Sequence, residues 1–481
     1  QDIKQYYDEN LHPDKIDFND QKVYKNIFQK GKFIGVFQFT NAGAQRFCKR
    51  IKPTNIIDIS AITSIYRPGP LSANVDRSYA KAKANPDDVV YINDLVKEVT
   101  EETSGFLIFQ EQIALLAHKL GKDLTLDEGN KLRKLLMKKG ATGRKTQETT
   151  NIYNKFIAGC LEKKIDKSTA EELWRKFEYF SGYGFNKSHA VCYTILSYQC
   201  AWLLNYYPEC WVAAFLDKEP ESRKEAAIAL AKQHGFDVRD IDINTSSGTY
   251  WGINEDGKTL MQPLNSIKGL GDAASKQIMN NRPFANAEDL LFREEVVYSK
   301  FNKKALDVLC RSGALNSIID ERFTGMKHFY HACVLNRPKN KKKLSENIVE
   351  FFEEGEFSRE EKIDYITDLT GIFPFDIVMS KDVEAAIRRH EVPALGDWDP
   401  ELGAAWFIPR EKIVKKTKND KVYWVLKVID NTSTVNTIRI WGVDPRRDQI
   451  HLNRPYGARL DYNDEWGFSL RLNKSRLILL G

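Results

Sequence analysis

The chain has no CxxC pair, and its seven cysteines (Cys48, Cys160, Cys192, Cys200, Cys210, Cys310 and Cys333) are scattered and odd in number. That distribution argues against a disulfide framework and suits a reducing, cytoplasmic setting. No apolar run approaches the ~20 residues needed to span a bilayer, so no membrane partner is expected. Gly-x-Ser-x-Gly, HExxH and Walker A patterns are all missing, which removes the commonest serine-hydrolase, zinc-protease and P-loop readings. No self-similarity recurs at a period of roughly 20–50 residues, so a solenoid is excluded. Gln1-Asp2-Ile3-Lys4 has neither an initiator Met nor the apolar core of a signal peptide, and a fragment or processed piece is expected. Charge of one sign is also scarce. The 72 Lys and Arg against 66 Asp and Glu leave +6, too little to prove a nucleic-acid partner alone.

What is present is an ordinary globular composition over 481 residues, enough for two to four domains at about 150 residues each. Residues 1–30 are polar and helix-prone, with no obvious core of their own. Lys32 to Phe39 reads as a strand or a buried approach to a helix. From about Ala44 to Asp217, apolar residues recur at three- and four-residue steps, the helical period. A further helix is expected to end at Gly235, a C′ glycine. The basic run Arg337 to Lys343 and the acidic stretch Glu346 to Glu361 show little periodic core and read as a linker or docking segment. From about Ala404 the pattern turns to strands, with Val422–Ile429 and Thr437–Trp441 rich in β-branched and aromatic residues. The expected fold is multidomain and mainly α, followed by a small all-β barrel of OB type.

Several clusters could carry chemistry. In Phe180-Ser181-Gly182-Tyr183-Gly184-Phe185-Asn186-Lys187-Ser188-His189, two glycines flank an aromatic at the start of a long apolar helix. Ser188 is the expected N-cap, and the free amides there favour an anion. A nucleotide cradle and a merely capped turn both fit. Lys131 to Gly140 buries Leu132, Leu135 and Leu136 on one stripe and leaves Arg133 and Lys134 off it, with Lys138 and Lys139 in the last turn. Those cations either complement the helix dipole or bind phosphate. Arg67-Pro68-Gly69-Pro70 and Phe109-Gln110-Glu111-Gln112 say little alone. Leu264 to Ala274 has a helix-hairpin-helix pattern in which Lys268, Gly269 and Gly271 would bring backbone amides to a DNA phosphate. Leu306 to Leu315 is a degenerate second copy. Asp240 and Asp242 have the spacing of a Mg²⁺ pair and equally of a solvent-facing strand edge. Neither His189 with Cys192 nor His328 with His331 and Cys333 has zinc spacing.

Taken in order, these motifs closely resemble the C-family replicative DNA polymerases of bacteria and phages, the alpha subunit of DNA polymerase III. Gly35-Val36-Phe37-Gln38-Phe39, Tyr66-Arg67-Pro68-Gly69-Pro70-Leu71, Phe109-Gln110-Glu111-Gln112, Leu132-Arg133-Lys134 and Gly182 to His189 are co-linear with the family's motifs. So are Ser197-Tyr198-Gln199, Ala201-Trp202-Leu203 and Tyr207-Pro208. The resemblance implies fingers over 1–235 (a palm-edge remnant at 1–30) and a tandem helix-hairpin-helix region over 236–320. A linker or clamp-binding segment over 321–400 and an OB-type domain over 401–481 follow. It implies binding of the incoming dNTP by Arg67, Arg133, Lys138, Lys139, Tyr183, Asn186, Lys187 and His189. Beside it, the residues themselves give Lys268, Gly269 and Gly271 as primer–template DNA contacts, and Tyr423, Trp424 or Trp441 as a platform for single-stranded template. Tyr423 and Trp424 face opposite sides of a strand, so at least one of them should be core.

Met137 before the Lys pair and Ala190-Val191-Cys192 after Ser188-His189 depart from the family pattern. No metal-binding catalytic aspartate of the family occurs, and Asp240 and Asp242 align with a structural segment. The resemblance therefore assigns Mg²⁺ to a PHP–palm portion elsewhere and predicts that this chain alone does not polymerise. A sliding clamp is a further implied partner, with Asn347 to Phe352 as the nearest candidate peptide. The alternative is a non-catalytic DNA-binding or scaffold relic of such a polymerase.

Overall fold

The computed structural model describes residues 9–72, 74–142, 147–180, 184–254, 256–399, 401–430, 436–463 and 466–480. The chain divides into two compact units, Gln1–Trp211 and Val212–Gly481. Among the described residues no helix is long and apolar enough to cross a membrane.

The first unit is helical and has two cores. One is built on the Lys187–Tyr206 helix, which packs along the Ile56–Ile65 helix. Ile59, Ile62 and Ile65 are buried between them with Ser60, whose hydroxyl lies 3.0 Å from that of Thr194. Residues 1–30 show no obvious core of their own in the sequence, and those described, 9–30, join this one. Val23, Tyr24, Ile27 and Phe28 are buried, and Tyr24 and Phe28 pack on Tyr198. The Tyr198 hydroxyl donates to the carbonyls of Asp17 (3.0 Å) and Asp20 (3.2 Å). Lys32 to Phe39 is not a strand: it runs as consecutive turns, with Gln38 at φ 67°. Its alternating apolar residues mislead because the turns fold Phe33 onto Phe39, rings 4.8 Å apart and nearly parallel, against Phe28.

The second core gathers the helices Asp94–Thr100, Gln110–Leu120, Leu126–Thr142, Gln147–Glu162 and Lys167–Phe180 around Phe156, Trp174 and Phe177. Two glycines permit the close approach of these helices. A methyl at Gly129 would strike the Ala114 carbonyl, and one at Gly159 would strike backbone at Leu120, Gly121 and Lys122.

In the second unit, the Glu221–Gln233 helix ends as expected, with Gly235 at φ 88°. Three short strands follow, β1 (Asp237–Arg239), β2 (Gly252–Ile253) and β3 (Thr259–Met261), in the order β1-β3-β2. Helices Asp272–Asn281, Ala287–Phe292 and Lys303–Arg311 then share one core with Phe301, Leu309 and Phe329. Leu344 and Phe357 belong to that same core, so the charged stretch read as a linker is folded onto it. Its apolar residues are few but well placed, which periodicity over a short window does not reveal.

The C-terminal part is a curled seven-stranded sheet, consistent with an OB-type domain. Its strands are β4 (Ala404–Lys416), β5 (Val422–Ile429), β6 (Asn436–Trp441), β7 (Tyr456–Arg459), β8 (Asp461–Asn463), β9 (Gly467–Arg471) and β10 (Ile478–Leu479). They lie in the order β10-β7-β4-β5-β6-β9-β8, with β6 and β9 parallel and the other pairs antiparallel. Alternation along β5 sends Trp424 into the core, 3% exposed. Its neighbour Tyr423 stays half-buried and stacks on Trp441 at 4.4 Å. Trp424 is therefore removed from the DNA-contacting set, because the face of its ring is spent on packing.

Gly159→Ala should destabilise the first unit by about 1–3 kcal/mol, the usual cost of overpacking. Thermal or urea unfolding would check this against Gly257→Ala in the second unit; a methyl at Gly257 meets open space and leaves only the strain of φ 69°.

Candidate nucleotide-binding site

The site begins with a short backbone stitch. Gln110 donates its N–H to the Phe185 carbonyl (2.9 Å), and Phe185 returns one to Ile108 (3.1 Å). The Gln110 side chain adds a bond to the Gly184 carbonyl at 2.9 Å. This brings the N-termini of the Gln110–Leu120 and Lys187–Tyr206 helices side by side. Gln112 makes the first of these rigid: its buried carboxamide accepts the N–H groups of Ile108 (2.8 Å) and Phe109 (2.9 Å) and donates to Thr103 (2.7 Å).

The N-cap of the Lys187–Tyr206 helix is Asn186, not Ser188. Asn186 is extended (φ −71°, ψ 123°) and its Oδ1 accepts the His189 N–H at 2.9 Å, whereas Ser188 already lies inside the helix, exposed. Both residue types cap well, so the expectation for Ser188 followed a sound preference, and backbone conformation overturns it.

Around this turn the structure brings together five of the eight expected residues. Arg67 donates from Nε to the Ser64 carbonyl (2.8 Å) and lays its guanidinium over the Phe185 ring at 4.4 Å. Burial pulls its pKa below the ordinary arginine value. Lys187 Nζ reaches both Glu102 oxygens (2.6 and 2.8 Å), above the Phe109 ring at 5.7 Å. Arg133 Nη1 lies 3.2 Å from Glu111 Oε1, which also accepts from Asn186 Nδ2 at 2.6 Å. The other Glu111 oxygen accepts the Lys187 N–H at 2.9 Å. His189 is exposed and packs on Tyr193, ring centres 4.3 Å apart. Lys138 and Lys139 fall within the Leu126–Thr142 helix, but their side chains, and all of Tyr183, lie outside the described residues.

Glu111 and Glu102 were missed from the sequence. The Phe109-Gln110-Glu111-Gln112 motif was noticed, but both carboxylates gain their roles through partners 22 to 85 residues away, which no local pattern signals.

The residues present do not fit a Mg²⁺ site. Among the described residues no group of three or more His, Cys, Asp or Glu side chains converges. Asp242 is spent on its own turn, its Oδ1 accepting the N–H groups of Asn244 (2.9 Å) and Thr245 (3.0 Å).

The first hairpin of the second unit is open. Lys268, Gly269 and Gly271 are exposed, Gly269 has φ 93°, and among the described residues nothing accepts from the Gly269 or Gly271 N–H. The Lys268 amide, in contrast, is held by the Leu369 carbonyl at 2.7 Å. The second hairpin is closed on itself, with Gly313 donating to Cys310 (3.2 Å) and Ser312 to Val308 (3.0 Å).

The first unit thus presents two paired helix starts with Arg67, Arg133 and Lys187 around them, and the second carries an open hairpin. Residues 1–164 match the family model described as the bacterial DNA polymerase III alpha subunit finger domain, and residues 235–324 match a helix-hairpin-helix model. Over longer stretches the chain is similar to DNA polymerase III subunit alpha from several bacteria. It is 26% identical to that of Campylobacter jejuni over 502 residues, covering 97% of this chain and 40% of the relative. For Aquifex aeolicus the figures are 29% over 442 residues, 89% and 36%; for Borreliella burgdorferi, 33% over 336 residues, 68% and 28%. The resemblance read from the motifs stands: the chain is similar to a portion of DNA polymerase III subunit alpha, and it spans two fifths or less of these relatives.

Asn186→Ala should lower unfolding stability by about 1 kcal/mol through loss of the cap. Ser188→Ala should stay within about 0.5 kcal/mol, as an exposed substitution. Denaturant melts of the two variants would check the assignment, which the reverse order would overturn.

Proposed function

We propose that this chain supplies the cationic side of a dNTP pocket and a grip on primer–template DNA for template-directed nucleotidyl transfer. The observation that carries the reading is the convergence of Arg67, Arg133, Asn186 and Lys187 on one stitched pair of helix starts. Cations and helix amides are what a triphosphate needs, since positioning and charge neutralisation dominate phosphoryl chemistry. Lys138, Lys139, Tyr183 and His189 complete the proposed pocket on the strength of the resemblance. The domain reading is proposed as fingers over 1–235, tandem helix-hairpin-helix over 236–320 and an OB-type domain over 401–481. The segment 321–400, whose residues Phe323 to Phe357 share the helix-hairpin-helix core, is kept as a clamp-binding segment and not as a linker.

Mg²⁺ and the carboxylates that hold it are assigned to a PHP–palm portion. Alone, this chain is expected to bind without extending primers. DNA is held first at the open hairpin, where the Gly269 and Gly271 amides can approach a phosphate without reading sequence. Single-stranded template would stack on the Tyr423–Trp441 pair, not on Trp424. A sliding clamp meeting Asn347 to Phe352 would find Val349 and Phe352 exposed. Asn347 is locked in the core by bonds to the carbonyls of Ala332 (2.8 Å) and Asn336 (2.7 Å).

Combined with its palm portion, the chain should support Mg²⁺-dependent primer extension, and Lys187→Ala or Arg133→Ala should raise the dNTP KM about tenfold or more. Unchanged KM in both variants would refute the pocket. No extension from a correctly assembled pair would leave the DNA-binding relic. Gly271→Val should weaken duplex binding at a stability cost of about 1 kcal/mol or less. Its φ is −80° and a side chain there meets open space, but Gly271 is the N-cap of the Asp272–Asn281 helix, a position where Val is disfavoured. Equal affinity in a salt titration would show that the hairpin only packs.

A further inference from the structure

The carboxylate of Glu111 collects three donors from two other elements: Arg133 Nη1, Asn186 Nδ2 and the Lys187 N–H. The backbone does not need it for its own cohesion. The two helix starts are already joined by the bonds between Ile108, Gln110 and Phe185. The helix that carries Arg133 is already seated by Leu132 and Leu136, both buried, and by the contact at Gly129. What Glu111 fixes is the direction of the donors. A guanidinium offers its five N–H groups in a rigid planar fork, so holding one corner aims the rest. Glu111 takes Nη1. The opposite edge is Nε with Nη2, and Nε is buried without an acceptor among the described residues. Leaving a buried charged donor unmatched is costly, and that edge has the spacing to take two oxygens of one phosphate.

We infer that Glu111 is a positioning residue for the incoming nucleotide: it holds Arg133 by Nη1 and turns the Nε–Nη2 edge toward a triphosphate oxygen pair. The inference rests on the nucleotide-pocket reading above and adds to it an acidic residue that acts through a basic one. Replacing the carboxylate by a carboxamide removes the charge and leaves one acceptor oxygen for three donors. Arg133 then loses its fixed corner while the fold around it is kept.

The test uses the polymerase assembled from this chain and its palm portion, with single-nucleotide insertion measured at saturating primer–template. Glu111→Gln should raise the dNTP KM about tenfold with kcat within about threefold, as expected of a residue that orients another. Glu111→Asp, which keeps the charge, should recover part of the loss. Adding Glu111→Gln to Arg133→Ala should change KM by less than about twofold further, because the two lie on one path. An unchanged KM in Glu111→Gln, or full multiplication of the two effects in the double variant, would overturn the proposal. Arg133→Ala and Lys187→Ala serve as internal references. If they raise KM and Glu111→Gln does not, only the positioning role fails; if none raises it, the pocket itself is misassigned. Should Glu111→Gln not fold, Glu111→Asp and its combination with Arg133→Ala give the same readings.

Discussion

The first unit depends on one junction, where the peptide leading into one helix pairs with the peptide leading into another. The pairing of Ile108 and Gln110 with Phe185 is only a few bonds long, yet it brings two helix N-termini to one place. Such a concentration of positive potential calls for an anion, and the protein provides one of its own in Glu111. A second carboxylate, Glu102, neutralises the ammonium of Lys187. Among the described residues these two carboxylates offset part of the positive charge, that of Arg133 and Lys187.

Close helix contacts make that junction stiff. Gly129 and Gly159 let three helices approach nearly to backbone contact, and the aromatic group Phe156, Trp174 and Phe177 fills the remaining space. Arg133 hangs from one of those helices and Glu111 from its neighbour, so their separation is set by the packing of Leu132, Leu116 and Ala114. The precision of the polar site is inherited from an apolar one. Arg67 is held differently, by the Ser64 carbonyl and the face of Phe185 among its contacts, an arrangement suited to a planar cation.

Much of this was legible in the sequence. Helical period marked nearly every long helix, and the β-branched runs at Val422 and Thr437 became β5 and β6 within a residue. Alternation correctly required one of Tyr423 and Trp424 to be core. The failures share a cause: each needed information from a distant part of the chain. Phe33 to Phe39 alternates like a strand, but its rings close on Phe28 through turns. Tyr24 and Phe28 look like surface residues until Tyr198 is placed beside them. Ser188 and Asn186 are equally good caps on paper, and only the ψ of Asn186 separates them. Glu111 is an acidic residue in a helix's first turn, an unremarked position whose importance comes from a turn more than seventy residues later.

The two hairpins of the second unit share a pattern but differ in how their amides are spent. Among the described residues the Gly269 and Gly271 amides have no acceptor, whereas those of Gly313 and Ser312 are taken by the preceding helix. If a duplex is held at the first hairpin alone, that contact is a swivel: it fixes where the backbone sits along the protein and leaves rotation about that phosphate free. Helical phase would then be set by whatever surface touches the strand next.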